Sequence, residues 1–423
     1  MTSEPKHIAV IGGGIVGACS ALALARAGQR VTLLEPGEPG GMQAASYGNG
    51  AFLSPASIIP MSMPGLWRKV PGYLLDPNGP LTIRWRHLAR LTPWLLRFIQ
   101  SGHSLGKVRR TASVLRELVG DSPLRHAALA ASCGHPERIR RDGLIYAYPD
   151  RAAFEADGLA WRLRRENGVS WRELCASELH EMEPALDASY AFAAFVEAGG
   201  HCTDPGAYVA EIVTQAKREG VAVMRAEARD FAFADRRLKA VLTDTGTIAC
   251  DAAVIAAGIH SRVLAKRAGD RVPLESERGY HVELSSPAIV LRRPVMPSDG
   301  RMANVMTTGG LRASGQVELA STDAGPDWRR ADILCEHLLR TYPGLAGGKA
   351  DVRISRWYGH RPSTPDGLPV ISRSSASDDV VHAFGHGHIG LSAGPITAEL
   401  VTSLITGKAP PFDPTPFAAA RFR

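Results

Sequence analysis

A chain of 423 residues is too long for one ordinary hydrophobic core, so we expect two domains. With 45% hydrophobic and 22% charged residues, its composition is that of a folded protein and excludes the disordered and fibrous classes. The formal net charge of +7 favours anionic ligands, but Lys and Arg are scattered and no zinc-finger spacing or basic arm occurs, which argues against nucleic-acid binding.

The cysteines and the start of the chain indicate a compartment. The six cysteines lie far apart without a C-x-x-C pair, so we expect neither a disulfide framework nor a metal site. The first residues run directly into a strand and leave no room for a signal peptide. No apolar run reaches the roughly 18 residues of a membrane-spanning helix. The sequence predicts a cytoplasmic protein, with peripheral contact to the inner face of the cell membrane as an open alternative.

Residues 7–35 read as strand, glycine turn, helix and strand, which predicts one βαβ unit. In the turn Gly12-Gly13-Gly14-Ile15-Val16-Gly17, the first glycine allows a sharp bend, Gly14 lets backbone amides approach a pyrophosphate, and Gly17 lets helix and strand pack closely. Glu35 ends the second strand, where it can accept hydrogen bonds from a ribose diol and disfavours a 2′-phosphate. The predicted dinucleotide contacts in this unit are Gly12, Gly14, Ile15, Val16, Gly17, Glu35 and Pro36.

The next 65 or so residues divide into two stretches. Residues 42–64 are rich in Gly, Pro, Ser and Met without a helical or strand period, which predicts a long loop. Residues 67–100 mix Trp and Leu with Arg and Lys, as in an amphipathic helix. Its basic, Trp-rich part, residues 67–98, either rests on an anionic membrane surface or packs over the protein.

Alternating and helical patterns continue along the rest of the chain. Further helices are predicted at residues 109–131, 153–166, 205–218, 328–341 and 389–405, the third with Asp204 as its N-cap. Strands are predicted at residues 143–148, 191–196, 221–225, 229–234, 238–244, 251–257, 282–284, 305–306, 317–320 and 380–384.

Two of these strands end in small residues. The strand at 251–257 ends in Ala256-Ala257-Gly258, a turn of the kind that returns to the edge of a bound dinucleotide. The strand at 380–384 runs into a second glycine turn and then a helix. Glycines at such a turn present the positive end of a helix to an electron-rich group such as a reduced flavin. The residues of this turn are Gly385, His386, Gly387, His388, Ile389, Gly390 and Leu391.

Four motifs in this order resemble the D-amino-acid oxidase superfamily of FAD-dependent oxidoreductases, and within it the D-amino-acid dehydrogenase branch. They are the N-terminal glycine turn, Ser46-Tyr47-Gly48-Asn49-Gly50 with Ser54-Pro55, the segment Arg361-Pro362-Ser363-Thr364-Pro365-Asp366-Gly367-Leu368-Pro369, and the turn 385–391. The resemblance runs from residue 7 to about 407 and is thin between 100 and 200.

The resemblance implies a mixed α/β fold with two domains. A Rossmann-like FAD-binding domain of the glutathione-reductase type would be discontinuous, from residues 1–60, 201–270 and 355–423. A substrate domain built on a mixed, largely antiparallel sheet would come from residues 61–200 and 271–354. Because no cysteine lies near the C-terminal flavin motifs, FAD is expected to bind without a covalent bond.

The resemblance also implies site residues. Arg361 matches the arginine that holds the substrate carboxylate, a role suited to a permanently charged, bidentate guanidinium. Tyr280 is a candidate for a second hydrogen bond to that carboxylate, or an ordinary strand tyrosine. His388 is a candidate for the substrate pocket, and His386 for packing at the flavin. Ser46, Asn49, Gly50, Ala257 and Gly258 would complete the FAD contacts.

The expected activity is oxidation of a small D-amino acid or D-hydroxyproline-type substrate by hydride transfer from Cα to the flavin, with a quinone or another acceptor reoxidising it. Two alternatives stay open. The first is an oxidase of secondary amines such as sarcosine or glycine that releases peroxide. The second is a non-catalytic FAD-bound subunit that only supports a partner.

Overall fold

The computed structural model describes residues 4–66, 72, 81–347 and 353–423. Within these residues the chain forms a mixed α/β fold with four sheets, as the sequence predicts. The strands in chain order are β1 His7–Ile11, β2 Arg30–Leu34, β3 Phe52–Leu53, β4 Leu81–Ile83, β5 Ile139–Arg140, β6 Leu144–Tyr148, β7 Arg172–Cys175, β8 Phe192–Val196, β9 Gly200–Cys202, β10 Ala222–Met224, β11 Ala228–Ala234, β12 Arg237–Thr243, β13 Gly246–Ala249, β14 Ala252–Ile255, β15 Glu275–Leu284, β16 Val295–Pro297, β17 Ala303–Thr307, β18 Gly310–Leu319, β19 Ile354–Ser363, β20 Val370–Arg373 and β21 Val380–Phe384.

The helices are described in the same order, and short 3-10 turns add to them. They are α1 Ile15–Arg26, α2 Trp85–Ser101, α3 Leu105–Val119, α4 Ser122–Ser132, α5 Arg151–Ala156, α6 Gly158–Glu166, α7 Ala176–Met182, α8 Pro205–Arg218, α9 Ser261–Arg267, α10 Arg329–Thr341 and α11 Gly390–Thr406.

A six-stranded sheet in the order β10-β2-β1-β14-β21-β20 carries the predicted βαβ unit. Its first five strands are parallel and β20 is antiparallel. Along β1, Ile8 and Val10 pack on the helix-rich side, while Ala9 and Ile11 face the small sheet β11-β12-β13. Burial on both faces explains the continuous apolar runs of these strands. The carboxyl ends of β1, β2, β14 and β21 meet at one edge, which is where such sheets bind ligands.

A nine-stranded sheet forms the second layer, with the main order β19-β15-β18-β17-β16-β6-β8-β7 and β4 beside β18. Its pairs are antiparallel except β16 with β6 and β18 with β4. On one face Tyr280 and Val282 of β15 pack against Leu334 and Leu338 of α10. This sheet is mixed and largely antiparallel, as the resemblance implies.

Several predicted elements need correction. The single helix predicted at 109–131 is two helices, α3 and α4, because the chain breaks at Gly120 and Asp121. The helix at 153–166 is likewise divided, at Asp157. The short strands predicted at 282–284 and 317–320 are the ends of two ten-residue strands, β15 and β18. The helix after Asp204 is confirmed, and the Asp204 carboxylate accepts the amide of Ala207 as a cap.

The amphipathic stretch is described only in part, since residues 67–71 and 73–80 lie outside the described residues. Helix α2 buries Leu91 and Trp94 and leaves Trp85 69% and Leu96 63% exposed. The indole of Trp94 donates to the backbone oxygen of Ser363, 3.2 Å away. One face of α2 therefore packs over the protein. The sequence left this packing and contact with a membrane surface as two alternatives for the stretch.

One described helical segment, Gly387–Thr406, is long and apolar enough to cross a membrane by length and composition. Its most apolar window is 67% buried inside the fold. Gly394 lies against Ile15 of α1, where an added Cβ would come within 2.9 Å of that side chain. The segment therefore has the packing of a core helix.

Candidate functional site

The first glycine turn lies at the carboxyl edge of the parallel sheet, between β1 and α1. Gly12 has φ +106°, and a Cβ there would lie 2.5 Å from the oxygen of Ala256. A Cβ on Gly17 would lie 1.8 Å from the oxygen of Gly12. These two positions exclude a side chain, while at Gly14 only the Ser46 hydroxyl comes near. The amides of the first turn of a helix have no partners within the helix, and apart from that of Ile15, which donates to the Ser46 hydroxyl, those of α1 are available to an anion.

Glu35 lies just beyond the carboxyl end of β2 and is buried. Its carboxylate accepts the amide of Gly13 at 2.6 Å and the amide of Gly37 at 3.0 Å. Pro36 follows it, and its carbonyl accepts the side chain of Arg225. The carboxylate is thus held beside the glycine turn, where its remaining lone pairs can accept the hydroxyls of a ribose.

The loop 46–50 lies over the same edge. The Ser46 hydroxyl accepts the amide of Ile15 at 3.0 Å, at the start of α1. Asn49 uses its side-chain oxygen to accept the amide of Ala51, and its backbone oxygen accepts Arg312. A Cβ on Gly50 would lie 3.0 Å from the Cβ of Ala303 in the nine-stranded sheet. The loop is therefore pinned between the two sheets.

Two further turns close this edge. Ala257 and Gly258 follow β14, and Gly258 has φ +56° with open space where a Cβ would be. The turn 385–391 follows β21, and Gly385 and Gly387 have φ +86° and +51°. The elements before these turns are neighbouring parallel strands, so the turns come together although about 130 residues separate them.

Within the turn 385–391 the two histidines differ. His386 is buried, its Nε2 lies 3.0 Å from the hydroxyl of Thr397, and burial lowers its pKa to about 3. Its backbone forms an isolated antiparallel bridge with Ser363, the last residue of β19. His388 is partly exposed and belongs to a different set of contacts, described below. His386 therefore joins the turn to the nine-stranded sheet as a neutral packing residue.

Arg361 of β19 lies opposite Glu277 of β15, so both side chains are on the same face of the sheet. Its guanidinium lies over Gly279, where an added Cβ would come within 2.1 Å of Nη2. Nη1 donates to the backbone oxygen of Gln316 at 3.1 Å, and Gln316 adopts φ +58° at an irregular point of β18. Among the described residues no carboxylate lies within 4 Å of this guanidinium, so its other donors can bind a ligand.

Three residues on this face and one from the turn 385–391 form what we call the carboxylate cluster. They are Glu277, Arg361 and Ser363 on the strands and His388 in the turn. Glu277 Oε2 accepts the Ser363 hydroxyl at 2.9 Å and lies 2.9 Å from His388 Nε2. Burial alone raises the pKa of Glu277, but His388, Ser363 and the charge of Arg361 together lower it below its ordinary value. Burial lowers the pKa of Arg361, and the charge of Glu277 opposes that shift. Glu277 is thus an ionised, buried carboxylate beside the predicted arginine.

The same face of the nine-stranded sheet also contacts the loop after β2, which lies at the edge of the parallel sheet. The rings of His281 and Trp357 stack with centroids 5.2 Å apart. Trp357 donates its indole N–H to the oxygen of Met42 at 2.9 Å. Burial lowers the pKa of His281 to about 3, so its ring is neutral, and its Nδ1 lies 3.3 Å from the oxygen of Gly48. This face is therefore directed at the loop that contacts the first glycine turn through Ser46.

Tyr280 lies on the other face. It alternates with Glu277 and Gly279 along β15 and is 1% exposed, among the residues that pack on α10. Its hydroxyl donates to Glu318 and accepts the amide of Asp327 at 2.9 Å. Burial raises its pKa. The structure does not bring Tyr280 together with Arg361, so of the two readings that the sequence allowed, an ordinary strand tyrosine fits this geometry.

The structure therefore brings Arg361 and His388 of the second glycine turn to the same carboxylate, and it adds site residues that the sequence did not indicate. The most prominent of these are Glu277, Ser363 and Gly279. A signal existed in Glu275-Ser276-Glu277, where charged residues alternate inside a strand whose residues are buried. Carboxylates in a buried strand need partners, and that requirement points to a site.

The edge of the parallel sheet fits FAD. Gly12 and Gly17 leave no room for a side chain where α1 packs on β1, and Gly258 faces open space. The buried carboxylate of Glu35 lies where a ribose would bind. The turn 385–391 then lies at the far end of the edge, against the carboxylate cluster. This arrangement leaves backbone donors for phosphates at one end and a positive helix end for an aromatic ring system at the other.

Comparison with known proteins supports this assignment. A family model described as FAD dependent oxidoreductase, the DAO family, matches residues 7–404. A D-amino-acid oxidase of Bradyrhizobium diazoefficiens is 49% identical over 419 residues, 99% of each chain. A D-amino acid dehydrogenase of Paramagnetospirillum magneticum is 28% identical over 412 residues, 95% of each chain.

Solved structures agree on the fold. Glycine oxidase from Geobacillus kaustophilus superposes with a TM-score of 0.73 at 22% identity, covering 98% of this chain and 99% of the other. L-amino acid deaminase from Proteus vulgaris gives a TM-score of 0.73 at 20% identity, covering 100% and 96%. The expected fold class, a Rossmann-like unit joined to a mixed, largely antiparallel sheet, is confirmed.

Proposed function

Because the chain belongs to the D-amino-acid oxidase family of FAD-dependent oxidoreductases, we propose that it oxidises the Cα–N bond of a small D-amino acid, the D-hydroxyproline type included. Members of this family act on CH–NH2 groups with FAD, and this chain is an enzyme of that kind. The observation that carries the proposal is Arg361, a charged side chain with free donors, on the face directed at the second glycine turn.

FAD would be held by the residues at the edge of the parallel sheet. The proposal assigns the pyrophosphate to the turn 12–17, the ribose to Glu35 with Pro36 beside it, and the ring system to Ser46, Asn49, Gly50, Ala257, Gly258 and the turn 385–391. When bound, FAD supplies a two-electron acceptor for the hydride that leaves Cα. Four of the six cysteines, Cys19 among them, are buried, which supports non-covalent binding.

Arg361 would bind the substrate carboxylate. A guanidinium seated on Gly279 and tethered to Gln316 presents two parallel donors to a carboxylate, which fixes the direction of the Cα–H bond. Its proposed partner in the pocket is His388 from the turn 385–391. The imine product then hydrolyses to a keto acid and ammonia, or stays cyclic when the substrate is proline-like.

Tyr280 is not part of this proposal, since its hydroxyl is occupied on the far face of the sheet. The division into an FAD-binding part of residues 1–60, 201–270 and 355–423 and a substrate part of residues 61–200 and 271–354 remains part of it. A cytoplasmic location, and contact of the stretch 67–98 with a membrane surface, also stay predictions. Sedimentation with anionic liposomes at low salt tests the contact, and absence of binding rejects it.

The acceptor that reoxidises the flavin is a separate question. The relative at 49% identity is named an oxidase and several at 26–30% identity are named dehydrogenases. Because the two groups of names differ in acceptor, the sequence expectation of a quinone or another carrier stands beside oxygen as the alternative. Peroxide measured under air during turnover identifies oxygen, while turnover with an artificial quinone but without peroxide identifies a dehydrogenase.

The deciding experiment for the reaction is anaerobic bleaching of the flavin. We expect loss of its visible absorbance with D-amino acids or D-hydroxyprolines, and none with their L-enantiomers. Bleaching only by sarcosine or glycine would support the secondary-amine oxidase instead. A yellow protein that no amine bleaches would contradict the proposal and favour a non-catalytic subunit.

A further inference from the structure

We propose that His388 takes the proton from the ammonium group of the substrate, and that Glu277 is the positioning residue that orients its ring for this step. This inference rests on the proposed function, since it assigns a proton path to the same substrate site. It gives a role to a buried carboxylate that neither the sequence motifs nor the carboxylate-binding role of Arg361 uses.

Glu277 lies beside both Arg361 and His388. Glu277 and Arg361 are register partners on adjacent strands, so the carboxylate lies next to the guanidinium that receives the substrate. His388 reaches this carboxylate from the flavin-side turn, with 2.9 Å between Nε2 and Oε2. Its side chain is 34% exposed, whereas that of Glu277 is 7% exposed. The histidine thus stands between a buried anion and the open side of the site.

The contact with Glu277 determines the imidazole tautomer of His388. Glu277 accepts the Ser363 hydroxyl and lies opposite the charged Arg361, two contacts that favour its ionised form, and an ionised carboxylate can only accept hydrogen bonds. Nε2 of His388 must therefore donate, which leaves the lone pair on Nδ1. Among the described residues Nδ1 has no hydrogen-bond partner. A carboxylate behind one nitrogen and a free lone pair on the other is the arrangement of a positioned base.

Other titratable groups around His388 cannot serve as the base. Arg361, from β19, is always protonated. His386, in the same turn, is neutral with a pKa of about 3 and its Nε2 is at Thr397. His87, from α2, is 3.4 Å from Glu275, two residues along β15. The backbone oxygen of Gln316 in β18 accepts Arg361. Among these groups His388 is the accessible base.

The proton step balances without another reagent. One N–H bond of the substrate ammonium breaks, its electron pair stays on the nitrogen, and the proton forms a bond to Nδ1 of His388. The neutral amine then forms the C=N bond as the Cα–H bond breaks and its electron pair leaves as hydride to FAD. The positive charge on the imidazole is compensated by Glu277, and the substrate carboxylate compensates Arg361.

The first test is the pH dependence of flavin reduction, measured anaerobically in the FAD-loaded protein. For Glu277→Gln and His388→Asn we expect a rate about 100-fold below wild type at pH 7. The difference should shrink as pH rises, because an amine that has already lost its proton needs no base. The acid limb of the profile thus moves to higher pH in both variants. A loss of rate that is equal at every pH would overturn the proposal.

A matched control is available on the same strand. Glu275 lies on the same face, two residues away, and also contacts a histidine, His87. Glu275→Gln should keep the acid limb of wild type. If Glu277→Gln does not fold, His388→Asn carries the test, because its side chain is partly exposed. If amino acids bleach wild type but neither variant shifts the limb, only the proton path fails. If no amino acid bleaches wild type, the proposed function fails.

A second readout does not depend on turnover. 2-Aminoisobutyrate has a carboxylate and an ammonium group but no Cα–H bond, so it can bind without being oxidised. In the FAD-loaded protein, ¹⁵N NMR of the histidine rings should show His388 as the Nε2–H tautomer, and as doubly protonated after this ligand binds. His388→Asn identifies the signal. An unchanged neutral ring in the saturated complex would contradict the assignment.

Discussion

The turn 12–17 and the carboxylate cluster are two binding regions made in opposite ways. The turn works through absent side chains, since Cβ atoms on Gly12 or Gly17 would overlap backbone at 2.5 and 1.8 Å. The cluster works through present side chains, brought by two strands and a turn with up to 111 residues between partners. The difference teaches that a cofactor with phosphates can be bound by a short continuous segment, whereas a substrate needs charges assembled across a sheet.

The sharpest way to separate the two regions is Arg361→Ala. We expect KM for a D-amino acid to rise about 100-fold or more, because a carboxylate loses its charged, bidentate partner. FAD absorbance and affinity should stay as in wild type, since the turn 12–17 is untouched. Steady-state kinetics together with a FAD titration measure both. Arg140→Ala, an arginine on the surface paired with Asp142, is the control and should change neither. An unchanged KM would remove Arg361 from the site.

The converse change is Gly17→Ala. The added Cβ would lie 1.8 Å from the oxygen of Gly12, so α1 must move away from β1. We expect FAD affinity to fall about 10- to 100-fold, in line with the energy of overpacking a rigid contact. Titration of the apoprotein with FAD measures this. Gly106→Ala adds a Cβ in a helix with open space around it and should leave FAD affinity unchanged. Tight FAD binding in Gly17→Ala would contradict the assignment of the phosphates.

The smallest effect on kinetics is expected at Gly279, where a missing side chain makes room for a charged one. This glycine belongs to the substrate sheet but acts by lacking a side chain, because a Cβ would lie 2.1 Å from Nη2 of Arg361. The arginine is flexible and can shift, so Gly279→Ala should raise KM about tenfold with little change in thermal stability. Gly158→Ala, at the start of α6 with no atom near, is the control. A KM equal to wild type would show that the seat of Arg361 is not needed.

The same contrast explains how much the sequence could predict. Residues 12–17 and Glu35 lie within one βαβ unit, so their spacing alone indicates the turn and its ligand. Helix α8 was equally readable, since Asp204 caps it and a proline begins it. Arg361 is predicted through family resemblance and not through spacing, because nothing in its sequence neighbourhood shows which side of the sheet it faces.

Glu277 and Ser363 were not predictable in this way. Their proximity depends on the register of β15 with β19, which pairs Glu277 with Arg361 across 84 residues, and register is set by the whole fold. The two alternatives for Tyr280 stayed open in the sequence for the same reason, since a shift of one residue changes the face. The long strands β15 and β18 were underestimated because their charged and glycine positions disturb the alternation.

The crossing between the two sheets, residues 364–369, is itself held in place. It follows Ser363 directly, and Thr364 donates to the oxygen of Leu368. Arg421 holds it from the far end of the sequence, with an ion pair of 2.7 Å to Asp366 and a hydrogen bond to Leu368. Loss of the Arg421 side chain would therefore loosen the connection between the two sheets, although this residue is 55 positions away from Asp366 in the sequence.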